Sequence, residues 1–91
     1  MRELVLTNKF RKDLKTITKR GVDKSQLNEV IDMLQNDIML PRQYKDHGLA
    51  GKYIGLRECH IQPNWLLIYE KSDKELILIL QRTGSHSDLF R

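Results

Sequence analysis

Two runs in the second half of the chain, Trp65 to Glu70 (WLLIYE) and Glu75 to Gln81 (ELILILQ), are apolar on nearly every position. Strand side chains alternate between faces, so a strand with one wet face shows a polar residue at every second position. These runs lack that alternation, which predicts strands buried on both faces or placed centrally in a sheet. Ser72-Asp73-Lys74 supplies a turn between them. Upstream, Lys52 to Gln62 reads as one long or two short extended pieces, and Pro63-Asn64 as the tight turn into Trp65. The second half is therefore an antiparallel meander.

The first half carries the helical period. Arg2 to Leu6 is too brief for a helix and suits a strand. Thr7 or Asn8 then offers an N-cap, and Phe10, Leu14 and Ile17 recur at i, i+4 and i+7. The rest of that helix bears Lys9, Arg11, Lys12, Lys15, Lys19 and Arg20, a surface that is either simply solvated or able to touch phosphates. Gly21 suits its C-cap. Asp23 and Gln26 have capping-box spacing, and Val22 and Leu27 staple spacing, ahead of Leu27, Val30, Ile31 and Leu34 with Met33 and Ile38 nearby. The short link at Gly21 predicts an antiparallel helix hairpin, and Pro41 stops the second helix. The predicted fold is one α+β domain over residues 1–91: an N-terminal strand, an antiparallel helix hairpin, then an antiparallel β-meander with the helices on one face.

Composition bounds the function. A net charge of +4, from 16 basic and 12 acidic residues, suits a polyanion or an acidic protein partner. No apolar run reaches membrane-span length and no signal-peptide core opens the chain, so no membrane association is expected. The single cysteine, Cys59, rules out an internal disulfide and fits a reducing cytoplasm.

Alternation along the third extended piece places Cys59 and Ile61 on one face and Glu58, His60 and Gln62 on the other. That polar row is either the floor of an active site or an ordinary wet strand face. His47 precedes it in a glycine-containing loop, and His86 follows the last strand. No spacing matches a zinc site, and the glycines Gly48, Gly51 and Gly55 are not placed as a phosphate loop, so neither a metal nor another cofactor is expected. Cys59 reads as packing, as do Trp65 and Tyr69.

The run YKDHGLAGKYIGLRECHIQPNWLLIYE together with QRTGSHSDLF resembles the YafQ-like branch of the RelE/ParE superfamily of type II toxins. The motifs are a Lys-Asp-His before a glycine turn, an Arg-acid-x-His-x-x-Pro strand, and Arg-Thr-Gly-Ser-His ahead of Leu-Phe. The resemblance implies a metal-independent endoribonuclease that cuts messenger RNA on the ribosome. It also implies a cognate acidic antitoxin of ribbon-helix-helix type, with operator DNA bound only through the toxin–antitoxin complex.

Carried over by position, the family's catalytic residues fall on His47, Glu58, His60 and His86, and its terminal aromatic on Phe90. A ribose 2′-OH attacking its own phosphate needs a base, an acid and cationic support, and histidine, with an ordinary pKa of about 6.5, serves either proton transfer at neutral pH. His86 is the expected acid and His47 or His60 the base, with Glu58 orienting or charging a histidine. Lys45, Lys52, Arg57 and Arg82 are candidates for phosphate support. Alternation, however, puts Arg57 on the Cys59 face unless a bulge or strand start intervenes. One position departs: the family's carboxylate after the hairpin proline is Asn64 here. Asparagine hydrogen-bonds but exchanges no proton, so activity is reduced or Glu58 supplies the charge. A ParE-type gyrase inhibitor or a regulatory binding module of the same fold is the alternative; neither needs three histidines.

Overall fold

The doubly apolar runs take the interior of the sheet. In the computed structural model, which describes residues 1–90, the strands are β1 (Glu3–Leu6), β2 (His47–Gly48), β3 (Arg57–Gln62), β4 (Trp65–Ser72) and β5 (Ile77–Gly84). They form one sheet in the order β1-β5-β4-β3-β2, antiparallel except where β1 lies parallel to β5. Trp65, Leu67 and Tyr69 of β4 enter a core with Phe10, Ile17, Leu27, Val30 and Leu34 of the two long helices. Leu66 and Ile68 point the opposite way, into a smaller cluster with Leu89, Leu49, Tyr53 and Leu56. Burial on both faces is thus realised by two unequal covers.

Helix α1 (Asn8–Lys19) is capped by Thr7, whose Oγ1 accepts the Phe10 N–H at 3.0 Å and donates to the Gln81 carbonyl at 2.9 Å. Its C-terminal end is a Schellman turn. Gly21, at φ +77°, donates to the Thr18 carbonyl, and Val22 donates to that of Ile17. Helix α2 (Ser25–Gln35) begins one residue later than capping-box spacing predicts. Asp23 instead accepts the Ser25 N–H, and Gln26 donates to the Ile61 carbonyl, tying α2 to β3. Two further expectations are corrected. Residues 52–56 are not extended: a 3-10 turn (Gly51–Tyr53) and Gly55 at φ +90° precede β3. Glu75 and Leu76 belong to the β4–β5 turn, with Leu76 at φ +53°, so β5 starts at Ile77 and runs on to Gly84.

The late end of β5 matters for the site. A register shift pairs Ile68 with Arg82 and Tyr69 with Leu80, leaving Gln81 as the extra residue of a bulge. Beyond it Thr83, not Arg82, turns to the helix side, where its hydroxyl accepts from Trp65 Nε1 at 3.0 Å and donates to the Leu66 carbonyl at 2.7 Å. Leu67 sits fully buried opposite Thr83. Leu67→Ala is expected to cost about 2–5 kcal/mol of stability, measured by urea unfolding with an unchanged m-value.

Candidate active site

The site lies on the sheet face away from α1 and α2. Strand β3 points Glu58 and His60 to that face and buries Cys59 and Ile61 on the other, as alternation predicts. A register shift after His60, however, sets Gln62 opposite Trp65, where it donates to Gln26 Oε1 of α2 and leaves the expected row. Burial pushes the Cys59 thiol up to about 12, so it holds its proton and serves as packing. The two-residue strand β2 sets His47 opposite Glu58. The Glu58 side chain is 5% exposed, and its Oε1 stands 3.2 Å from His60 Nε2 and 3.7 Å from His47 Nε2. His47 donates Nδ1–H to the Lys45 carbonyl at 2.6 Å, since a carbonyl can only accept. Its Nε2 is thereby left with the open lone pair when the ring is neutral.

His86 reaches the same face from helix α3 (His86–Leu89), a single turn just beyond the last strand. Ser85 and Asp88 close a capping box around its start, and Asn64 Oδ1 accepts the His86 N–H at 3.2 Å. Ring centroids run His47–His60 6.3 Å, His60–His86 6.0 Å and His86–Phe90 5.6 Å. The three histidines form one row. Leu89 anchors the tail by burial, but Phe90 does not; it is 40% exposed and meets Tyr53 edge-on at 5.4 Å. Tyr53, which sequence reasoning passed over, also donates its hydroxyl to the Leu89 carbonyl at 3.0 Å.

The four cations divide. Lys45 and Lys52 are exposed, with Lys52 Nζ 5.1 Å from the Tyr53 ring centroid. Arg82 is held by Asp13 through two hydrogen bonds of 2.7 and 3.0 Å. Arg57 opens β3, pairs with Tyr69 in register and binds Asp46 at 3.3 Å. It therefore follows the Cys59 face, as plain alternation requires, and stays out of the histidine row. Asp13 was legible as the lone acid among the lysines of α1. A cleft of about 370 Å³ opens beside His60, lined by Lys45, Gln43, Gln26 and Gln62. Among the described residues no three His, Cys, Asp or Glu side chains are disposed to hold a metal ion.

Residues 2–91 match the family of bacterial toxins of type II toxin–antitoxin systems described as YafQ. The chain belongs to that family. It is 39% identical over 90 residues to the mRNA interferase toxin YafQ of Escherichia coli K12, covering 98% of this chain and 96% of that YafQ. The crystal structure of a metal-bound toxin from Helicobacter pylori is 42% identical, with a TM-score of 0.93 over 99% of this chain and 100% of its own. The YafQ chain of the E. coli DinJ–YafQ complex is 37% identical, with a TM-score of 0.89 over the full length of both. These neighbours establish the α+β toxin fold expected from the meander and helix pair.

One ion pair holds this YafQ-family tail to α1. Arg20 grips Asp88 at 2.8 and 3.1 Å, and the same carboxylate accepts the Ser85 N–H at 2.9 Å. Arg20 first, then the Ser85 amide, hold the Asp88 carboxyl well below the usual carboxylate range. A depressed folded pKa stabilises above the unfolded value, about 4, and that stability fades as pH falls below it. Asp88→Asn is expected to lower the melting temperature at pH 7, and the gap to wild type should close on acidification below about pH 4. A gap that widens in acid would refute the assignment. Gly84 is constrained by the same group: at φ +154° its added Cβ would meet Asp88 Oδ2 at 2.9 Å.

Proposed function

We propose that this chain is the toxin of a type II toxin–antitoxin pair and an endoribonuclease that cuts messenger RNA on the ribosome by histidine acid–base chemistry. The observation that carries it is the row His47–His60–His86 beside the buried Glu58, open to solvent on one sheet face. The name of the E. coli relative, an mRNA interferase, supports the substrate class.

In this reading His47 is the base. Its Nδ1–H is committed to Lys45, so Nε2 takes the proton from the ribose 2′-OH, and Glu58 at 3.7 Å favours the imidazolium that forms. The oxyanion attacks the adjacent phosphorus, the bond to the 5′-oxygen breaks, and His86 delivers a proton to that oxygen. The products are a 2′,3′-cyclic phosphate and a 5′-hydroxyl. His60 shares Glu58 and sits where the phosphate charge grows. Lys45 and Lys52 stand exposed to support that charge, whereas Arg57 and Arg82 act on it only by giving up Asp46 or Asp13. Phe90 and Tyr53 offer ring faces for a base.

The partners follow from the same reading. An acidic antitoxin of ribbon-helix-helix type masks the toxin in the cytoplasm, and operator DNA is met only by the complex. The DinJ–YafQ structure supports such a pairing, and no helix among the described residues is long and apolar enough to cross a membrane. Wild-type chain alone is expected to express poorly and to be rescued by its antitoxin.

The chemistry is tested on programmed ribosomes. His86→Ala should cut roughly 10²–10⁴-fold more slowly with an unchanged melting temperature, because His86 is exposed. A 2′-deoxy nucleotide at the scissile position should bind yet resist cleavage, since the nucleophile is gone. Wild-type cutting by a folded His86→Ala protein would remove His86 from the mechanism. Phe90→Ala should weaken RNA binding and spare stability.

A further inference from the structure

The loop that presents His47 is tied through the edge of the sheet to the opposite side. Asp46 Oδ1 accepts the Tyr69 hydroxyl at 2.5 Å, and Asp46 Oδ2 lies 3.3 Å from Arg57 Nη2. Tyr69 is 1% exposed and belongs to the helix-side core, and Arg57 is its register partner. Consecutive residues therefore go to opposite faces: Asp46 to the core side, His47 to the histidine row. Lys45, just before them, is held at φ +48°, a left-handed conformation lysine rarely adopts. In that conformation its carbonyl receives His47 Nδ1–H.

The arrangement has a chemical consequence. A histidine ring with no fixed hydrogen-bond partner populates both neutral tautomers by exchanging its proton with water, and only the one protonated on Nδ1 offers Nε2 as a base. Here the ring tautomer depends on where the Lys45 carbonyl stands, and that depends on the next residue being pinned. Burial first, then the Asp46 carboxylate, raises the Tyr69 hydroxyl pKa, so it remains a donor to Asp46 across the whole neutral range.

We propose that Asp46, clamped by Tyr69 and Arg57, is a positioning residue that fixes the place and the tautomer of His47. The inference rests on the reading of His47 as base, and its test separates the two. Tyr69→Phe removes one oxygen from the core, and Asp46→Ala removes the carboxylate from the loop. Each is made in the full-length chain, alone and together with His47→Ala. Cleavage on programmed ribosomes should lose roughly 10- to 100-fold in kcat with little change in KM, the scale of a misplaced catalytic group. In the His47→Ala background neither change should cost more than about twofold further, since a residue acting through His47 has nothing left to position. Nitrogen-15 spectra of the imidazoles should show the His47 proton on Nδ1 in the wild type and shared between both nitrogens in the variants.

Wild-type kcat in both variants, or the same loss with and without His47, overturns the proposal. So does an unchanged His47 tautomer in Asp46→Ala. If Tyr69→Phe melts below the assay temperature, Asp46→Ala decides alone, because that side chain is partly exposed. If His47→Ala itself cuts at the wild-type rate, the base assignment fails, and the nitrogen-15 spectra of the Asp46→Ala chain still decide the positioning.

Discussion

Strand β4 needs cover on both sides, and the rest of the structure answers to that demand. Trp65 through Tyr69 are all buried, so neither face of β4 can be left to water. On one side two amphipathic helices supply the cover. On the other, the apolar cover of Leu66 and Ile68 among the described residues is Leu89 with the partly buried Leu49, Tyr53 and Leu56. Burying a side chain of leucine size is worth about 1.5–3 kcal/mol, enough to hold a one-turn helix and a loop that would not persist alone. These small covers are also the carriers of His86, Phe90, Tyr53 and His47. Hydrophobic closure of the second face and assembly of the histidine row are one event.

The same face holds the most demanding charge in the molecule. Removing a carboxylate from water is costly unless it is paired or hydrogen-bonded. Glu58, 5% exposed, has His60 at 3.2 Å and His47 at 3.7 Å as its neighbours. A proton on either ring turns a neutral neighbour into a counter-ion, so protonation of the row and comfort of the buried carboxylate are linked. A site proposed to take and give protons thus has a carboxyl group set between two of its imidazoles. The outlying arginines already have partners: Arg82 with Asp13, Arg57 with Asp46, Arg20 with Asp88. A net charge of +4 therefore overstates the cations available to a phosphate near the row, which are chiefly Lys45 and Lys52.

How much of this the sequence disclosed follows from the range of each interaction. The meander, both long helices and the faces of β3 from Glu58 to Ile61 came from local periodicity, because burial repeats with the geometry of the element; the register shift that turns Gln62 toward α2 did not. The parallel pairing of β1 with β5 did not, since no four-residue run specifies a partner some seventy residues away. Nor did the bulge at Gln81, which reverses the faces of Arg82 and Thr83. The Asp23–Gln26 capping spacing misled because β3 engages both ends of the Gln26 amide: its Nε2 donates to the Ile61 carbonyl and its Oε1 accepts from Gln62 Nε2. Family resemblance brought His47, Glu58, His60 and His86 together on paper; Asp46, Tyr53 and Asp88 emerged only from coordinates, because they act by holding other residues.

Asn64 shows how position and charge can be separated at one site. Its amide oxygen accepts the His86 N–H at 3.2 Å and so joins the β3–β4 turn to the start of α3. A carboxylate oxygen at this place would accept the same bond, so the exchange to asparagine keeps the tether. What it removes is a negative charge within reach of His86, one that would favour the imidazolium. With asparagine there, the Glu58 carboxylate is the charge the row is built around, on the His47 side of His60 rather than beside His86. Base and acid in the proposed mechanism then differ in their surroundings. His47 has the Glu58 carboxyl group at 3.7 Å, whereas the neighbours of His86 are the Phe90 and His60 rings and the Asn64 amide.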